Sequence, residues 1–190
     1  MMKSLLFVLF LSLFSFQLKA QGQIASDWTG NQRAIGIHTN VLYWGALTPN
    51  LGVEMPLARQ WSLDVTGMYA HWDFRQNKKY RVGAIQPELR WWCCQTMTRH
   101  FIGLHFHYAA FNIGEERFRR DGHLIGGGLS YGYVWVASSR WNIDFSAGVG
   151  YARIEYDKYG QKCGLFLSKE KRNYWGPTRL GVTFTYKIPY

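Results

Sequence analysis

The sequence predicts an all-β fold, an eight-stranded antiparallel up-and-down transmembrane β-barrel. Three observations lead there. Hydrophobicity alternates with period two in eight segments from about residue 34 to the end. Aromatic residues, 17% of the chain, gather toward the two ends of those segments. Beyond residue 20 no apolar run approaches the roughly 20 residues that a membrane helix needs.

The elements follow in order. Residues 1–20, "MMKSLLFVLFLSLFSFQLKA", carry Lys3, an apolar run from Leu5 to Phe16, and Lys19-Ala20 before a cleavage point. This is the layout of a secretory signal peptide, so the mature chain is expected to begin near Gln21. Residues 21–33 are expected to form a periplasmic N-terminal stretch, and residues 34–190 the barrel. Subtracting Lys3 and Lys19 from the formal charge of +10 leaves +8 on the mature chain.

"AIGIHTNVLY" sets Ile35, Ile37, Thr39, Val41 and Tyr43 on one face. "NLGVEMPL" sets Leu51, Val53, Met55 and Leu57 against Glu54. "WSLDVTGMYAHW" sets Trp61, Leu63, Val65 and Tyr69 against Asp64 and Thr66. "GAIQPELRWW" sets Ile85, Leu89 and Trp91 against Gln86, Glu88 and Arg90. "FIGLHFHYAAF" sets Ile102, Leu104, Phe106 and Tyr108 against His105 and His107. "LIGGGLSYGYVW" sets Ile125, Leu129, Tyr131, Tyr133 and Trp135 against Gly128, Ser130 and Gly132. "WNIDFSAGVGYARIEY" sets Trp141, Ile143, Phe145, Val149 and Tyr151 against Asn142, Asp144 and Ser146. "TRLGVTFTYKIPY" sets Leu180, Val182, Phe184, Tyr186, Ile188 and Tyr190 against Arg179, Gly181, Thr183, Thr185, Lys187 and Pro189. Such alternation marks strands with one apolar and one polar face.

The connections are expected to alternate. Short turns fall at Ala58–Gln60, Cys94–Arg99 and Ala137–Arg140, and long polar loops at Arg75–Tyr80, Gly114–His123 and Asp157–Tyr174. The first connection, near Gly45–Pro49, belongs with the long ends but is short. No segment shows helical periodicity. Short turns at one end and long loops at the other fit an outer-membrane barrel. A soluble barrel also alternates, so the aromatics decide. Trp61, Trp91, Trp135, Trp141 and Tyr190 lie near the short turns, and Tyr43, Tyr69, Tyr108 and Tyr151 toward the loops. Trp141 and Tyr151, ten residues apart, span roughly 25 Å at ~3.3 Å per residue and ~40° tilt, the height of a lipid-facing band between two aromatic girdles. The expected location is the outer membrane of a Gram-negative bacterium.

In lipid an open sheet edge is untenable, so the last strand must close against the first. That strand also resembles the C-terminal signal read by the outer-membrane assembly machinery: Arg179, Gly181, Phe184 and Tyr186 fill its pattern, with Tyr190 as the aromatic terminus.

Several segments together, "NVLYWGALTPNLGVEMPL", "PELRWW", "GGGLSYGY", "WNIDFSAGVGYARIEYDKY" and "YWGPTRLGVTF", resemble an uncharacterised family of small Bacteroidetes-type outer-membrane β-barrel proteins. The resemblance covers nearly all of the mature chain. It carries no established activity and no functional residues. Members are often encoded near fimbrial subunit genes, which implies an accessory role in surface assembly.

Glu54, Asp64, Glu88, Arg90, Asp144, Arg179 and Lys187 are expected to face inward as a lumen charge network. An eight-stranded barrel is just wide enough for side chains to fill it. Opposite charges should therefore pair as a plug, the alternative being a narrow solute channel. His105 and His107 share a polar face and His38 points the same way. A metal needs a third or fourth converging ligand, so filler histidines and no metal or cofactor are expected. A lipid-modifying enzyme is less well supported: there is no His-x-Ser, and Glu115 and Glu116 sit among Arg117, Arg119 and Arg120. The expectation is a non-enzymatic protein.

Arg75, Lys78, Lys79 and Arg81, and again Lys169, Lys171 and Arg172, make the loop side basic. Exported loops have little access to nucleic acid. Outer-membrane lipid and the phosphates of lipopolysaccharide are the nearer partners. Cys93 and Cys94 lie at a short turn and Cys163 on the opposite side, too far for a bridge. A Cys93–Cys94 bond would be strained.

Overall fold

The computed structural model describes residues 34–73, 79–114, 118–160 and 165–189. Eight strands form one closed antiparallel barrel in sequence order: β1 (Ala34–Asn40), β2 (Asn50–Ala58), β3 (Trp61–Asp73), β4 (Lys79–Trp92), β5 (Arg99–Gly114), β6 (Phe118–Val136), β7 (Trp141–Gly160) and β8 (Phe166–Pro189). Closure joins β1 to β8, with Ala34 opposite Pro189 and Asn40 opposite Thr183. The signal peptide, the 21–33 stretch, Arg75, Lys78, Glu115, Glu116, Arg117, Cys163 and Tyr190 lie outside the described residues.

Strand length grows around the wall, from 7 residues in β1 to 24 in β8. β1 therefore pairs only with the lower part of β8, and above Asn40 the wall consists of β3–β8 alone. One side chain continues the ladder there. Asn40 Nδ2 donates to the Leu180 carbonyl at 3.0 Å, and its Oδ1 accepts from the Val182 amide at 3.2 Å.

Two expectations are corrected. Val41 and Tyr43 fit the period of the first strand, yet β1 stops at Asn40 and a single-turn helix, α1 (Val41–Gly45), follows. Asn40 stops the strand because its Oδ1 also accepts from the Leu42 amide at 3.1 Å, capping the helix. Leu47, at φ 57°, ends the turn in the left-handed region, with Thr48 N–H returned to the Tyr43 carbonyl at 2.8 Å. Tyr43 is thus on α1 and not in a girdle.

Among the described residues, the second and third long loops are also mostly strand. β5 and β6 stay paired up to Gly114 and Arg119, and β6 and β7 up to Phe118 and Gly160. β7 and β8 continue to Tyr159 and Phe166, with shifts near Gly148 and Lys158. Polar residues on one face of a hairpin read as loop, although the backbones of β5, β6 and β7 there pair with their neighbours on the ladder. The sides of the barrel differ in strand extension more than in loop length.

The exterior is apolar through the lower and middle barrel. Leu51, Leu89, Leu104, Leu129, Val149, Leu180 and Phe184 are exposed, Val149 by 64%. Trp61 stands opposite Trp91, and Trp141 packs edge-on to Tyr186 at 5.0 Å. These rings mark the turn end. Toward the other end Tyr69 and Tyr108 are exposed, and Tyr151 packs on Trp175 at 5.0 Å. Trp44 and Trp72 add two more aromatics at that end. Their indole N–H groups donate to Thr39 Oγ1 at 2.8 Å and to the Leu47 carbonyl at 2.7 Å.

Candidate functional site

The inward faces of β1–β4 and β6–β8 converge on Arg90. It sits on β4 opposite Ser62 of β3 and Gly103 of β5, and is almost completely buried. Its Nε donates to Glu88 Oε2 at 2.6 Å and its Nη1 to Glu54 Oε2 at 2.8 Å. Nη1 also lies 3.2 Å from Asp144, and Nη2 3.6 Å from Asp64. Arg179 of β8 reaches the same acids, 3.1 Å from Glu88 and 3.9 Å from Asp64. His38 of β1 meets Asp64 at 2.5 Å. Hydroxyls reach three of the carboxylates. Ser62 donates to Glu54 at 2.6 Å, Thr66 to Asp64 at 3.1 Å, and Ser130 to Glu88.

The structure thus gathers Glu54, Asp64, Glu88, Arg90, Asp144 and Arg179 into one connected cluster. Lys187, also buried, lies nearer the turn end, opposite Gly36 of β1, where its amide donates to the Arg140 carbonyl at 2.7 Å. The four carboxylates share two guanidiniums, and Asp64 also meets the His38 ring, the kind of pairing that buried ions require.

Below the network lies a dry floor. Trp92, Phe101 and Val134 form a buried apolar cluster. Trp92 Nε1 donates to Ser62 at 2.8 Å, and the Arg90 guanidinium stacks over Phe101, 4.5 Å from the ring centroid. Met97 completes the floor. The turn after β4 places it at φ 60°, buries its side chain and lets Asn142 Nδ2 donate to its carbonyl at 2.8 Å. Alternation did signal Trp92 and Phe101, each an even step from an inward residue. Nothing in the sequence marks Met97.

The histidines do not converge. His38 is engaged with Asp64, while His105 Nε2 lies 2.9 Å from Thr178 Oγ1 and its ring stacks 5.9 Å from that of His107. Among the described residues no three His, Cys, Asp or Glu side chains are grouped to hold a metal ion. Cys93 and Cys94 are exposed and unbonded.

On β8, Gly181 faces inward, where an added Cβ would stand 2.5 Å from Ser146 Oγ. A larger residue there would force the Ser146 hydroxyl to turn away. Phe184 is exposed and Tyr186 half-buried against Trp141. Several basic residues of the upper hairpins are paired. Arg81 contacts Asp73 at 2.9 Å, Lys171 contacts Glu155 at 3.6 Å, and Arg172 contacts Glu170 at 3.2 Å.

No curated protein matches the chain. Residues 6–188 match the family described as "Protein of unknown function (DUF3575)", and the chain belongs to that family.

Proposed function

We propose that this chain is an integral outer-membrane protein of a Gram-negative bacterium. In this reading it is a non-enzymatic, non-conducting barrel that is structural or accessory to assembly of the cell surface, fimbriae included. The supporting observation is its reversed sidedness. Arg90, Glu88, Asp64 and Glu54 are buried inside, while Leu129, Val149, Leu51 and Leu180 are exposed outside. Water cannot sustain so large an apolar exterior on a monomer, and lipid demands it.

The signal peptide of residues 1–20 delivers the chain to the periplasm. The assembly machinery then reads Gly181, Phe184, Tyr186 and Tyr190. Lipid surrounds the wall, and the cations that remain on the upper hairpins meet lipopolysaccharide phosphates. The stacked Arg90 and the Trp92–Phe101–Met97 floor favour a plug over a solute path. Planar-bilayer recordings separate the two, since a plugged barrel gives no unitary conductance.

Quenching of Trp61, Trp91 and Trp141 by brominated lipids tests the membrane reading. Quenching should depend on bromine depth. Quenching by aqueous iodide with no response to bromolipids would sink it. A pull-down from native membranes tests the surface-assembly role: recovery of fimbrial or other surface subunits supports it.

A further inference from the structure

The strands lengthen one after another around the wall, so the longest, β8, stands beside the shortest, β1. β1 pairs with β8 only as far up as Asn40 opposite Thr183. β7 pairs with it on the other side up to Tyr159 opposite Phe166. β1 and β2 separate β8 from β3 lower down, and their upper ends are Asn40 and Asn50. Among the described residues, β7 is the one strand paired with residues 166–178.

Burial marks the same edge. Lys171, Arg172, Asn173, Tyr174 and Trp175 are exposed one after another, whichever face they take, and Trp175 is 77% exposed. One strand further in, residues 154–160 of β7 are all half-buried. Near the lower end of this edge the Asn40 side chain takes the place of a strand at Leu180 and Val182. Pro177 has no N–H, and its carbonyl accepts from the Tyr174 hydroxyl at 3.3 Å, so its backbone groups belong to the open side. Counted in twos, Trp175, Asn173 and Lys171 present their N–H and C=O groups to that side too.

Charge narrows what can pair there. Residues 166–178 carry Lys169, Lys171 and Arg172 against Glu170 alone. Lys171 shares Glu155 with Arg153. Lysines on an edge deter indiscriminate strand pairing, and the same charges favour an acidic guest.

From these features we infer that the upper edge of β8 is a docking site for an extended acidic segment of a partner protein. The segment adds as a strand antiparallel to β8, held by main-chain hydrogen bonds. Its carboxylates meet Lys169 and Lys171 on the outer face, and its apolar side chains meet Tyr174 on the inner one. A second copy fits badly. Two barrels inserted the same way into one membrane carry β8 in the same direction, so their edges meet parallel, with lysine against lysine. That exclusion rests on the membrane reading, but the edge does not, so the two succeed or fail separately.

The test uses the refolded chain in amphipol and a fluorescent peptide of about nine residues, alternating valine and glutamate, long enough to cover residues 169–175. Fluorescence anisotropy should show saturable binding. The same peptide N-methylated throughout keeps its charges but cannot extend the ladder, and should bind at least about tenfold more weakly. Replacing Lys169→Glu together with Lys171→Glu should switch the preference to a valine–lysine peptide, whereas Arg119→Glu on β6 should not. Heat-modifiable gel mobility checks that each variant is a closed barrel. No binding to the wild type, equal binding of the N-methylated peptide, or a preference unmoved by the double substitution would overturn the inference. So would a dimer in native mass spectrometry that the peptide disperses, since the edge would then belong to a second copy.

Discussion

Along β3–β7 the lower and upper halves of this barrel share register and period, but not sidedness. Below the loop-end aromatics, Leu129 and Val149 face out while Ser130 and Asp144 face in. Above them, His123 and Glu155 face out while Leu124 and Ile154 face in. No register shift separates the two halves in β6, so the strand does not turn over. In the proposed reading, what changes is the medium on each side. A strand dictates which residues share a face. The surroundings decide whether that face is apolar. In the proposed reading lipid bathes the lower exterior and water the upper, and the lumen follows the opposite rule at each level.

The difference predicts where mutations cost most. Arg90→Met should be the severest, because it takes the guanidinium from buried Glu54 and Asp144 and leaves Glu88 with Arg179 as its one cation. Removing one partner of a buried ion pair costs about 3–5 kcal/mol. Urea titration followed by heat-modifiable gel mobility should show that loss, and bilayer recordings should show no conductance, since methionine keeps the space filled. A gain of conductance would instead favour the channel.

A smaller loss is expected for Leu129→Lys, a charge near the middle of the apolar band. The cost there is ~2–4 kcal/mol in a bilayer. His123→Lys, on the same face of the same strand but above the aromatic girdle, should change stability by less than about 0.5 kcal/mol. Refolding both into lipid vesicles and comparing urea midpoints tests the boundary. Equal costs would place no boundary between Leu129 and His123.

Packing offers the next contrast. At Gly132 an added Cβ would stand 2.3 Å from the Phe101 ring, so Gly132→Ala should cost about 1–3 kcal/mol through overpacking of the floor. Ala109→Leu, at a half-buried position of the upper wall, should be neutral or stabilising. If both destabilise alike, the upper interior is as tightly packed as the lower.

These contrasts also explain what could be read in advance. Strand number, antiparallel order and the inward set from Glu54 to Lys187 are legible, because period two separates an apolar face from a polar one. Tyr43 was misplaced because Val41 and Tyr43 continue that period, while the competing signal is a single side-chain cap at Asn40. The upper hairpins read as loops because Arg119, Asp121, Arg153 and Lys171 advertise solvent. Leu124 and Ile154, their strand-like partners, are too few to show alternation alone. Met97 required a left-handed residue in a six-residue turn, 93–98, and Met carries no such preference. The cluster around Arg90 was legible as a set of faces but not as distances, because which carboxylates reach one guanidinium depends on barrel shear.

The smallest expected effect lies on the upper exterior. Asp73 is held below the usual carboxylate range by its hydrogen bond from Arg81, whose Nη2 lies 2.9 Å and 3.3 Å from its two oxygens. Both side chains are partly exposed. A depressed folded-state pKa means that the pair stabilises the β3–β4 end above the unfolded carboxylate pKa. That contribution fades as pH falls and is gone below the folded value. Because water surrounds the pair, salt should screen it. Carbon-13 NMR titration of the Asp73 carboxylate should give a low pKa in dilute buffer that moves toward the ordinary range in high salt. Arg81→Met should abolish the shift. The stability that Arg90 confers inside the lower barrel should not respond to the same salt, since ions do not reach a dry lumen. If the urea midpoint gap between wild type and Arg90→Met shrinks with salt as the Asp73 shift does, water penetrates the lower lumen, and the contrast between the halves is one of degree alone.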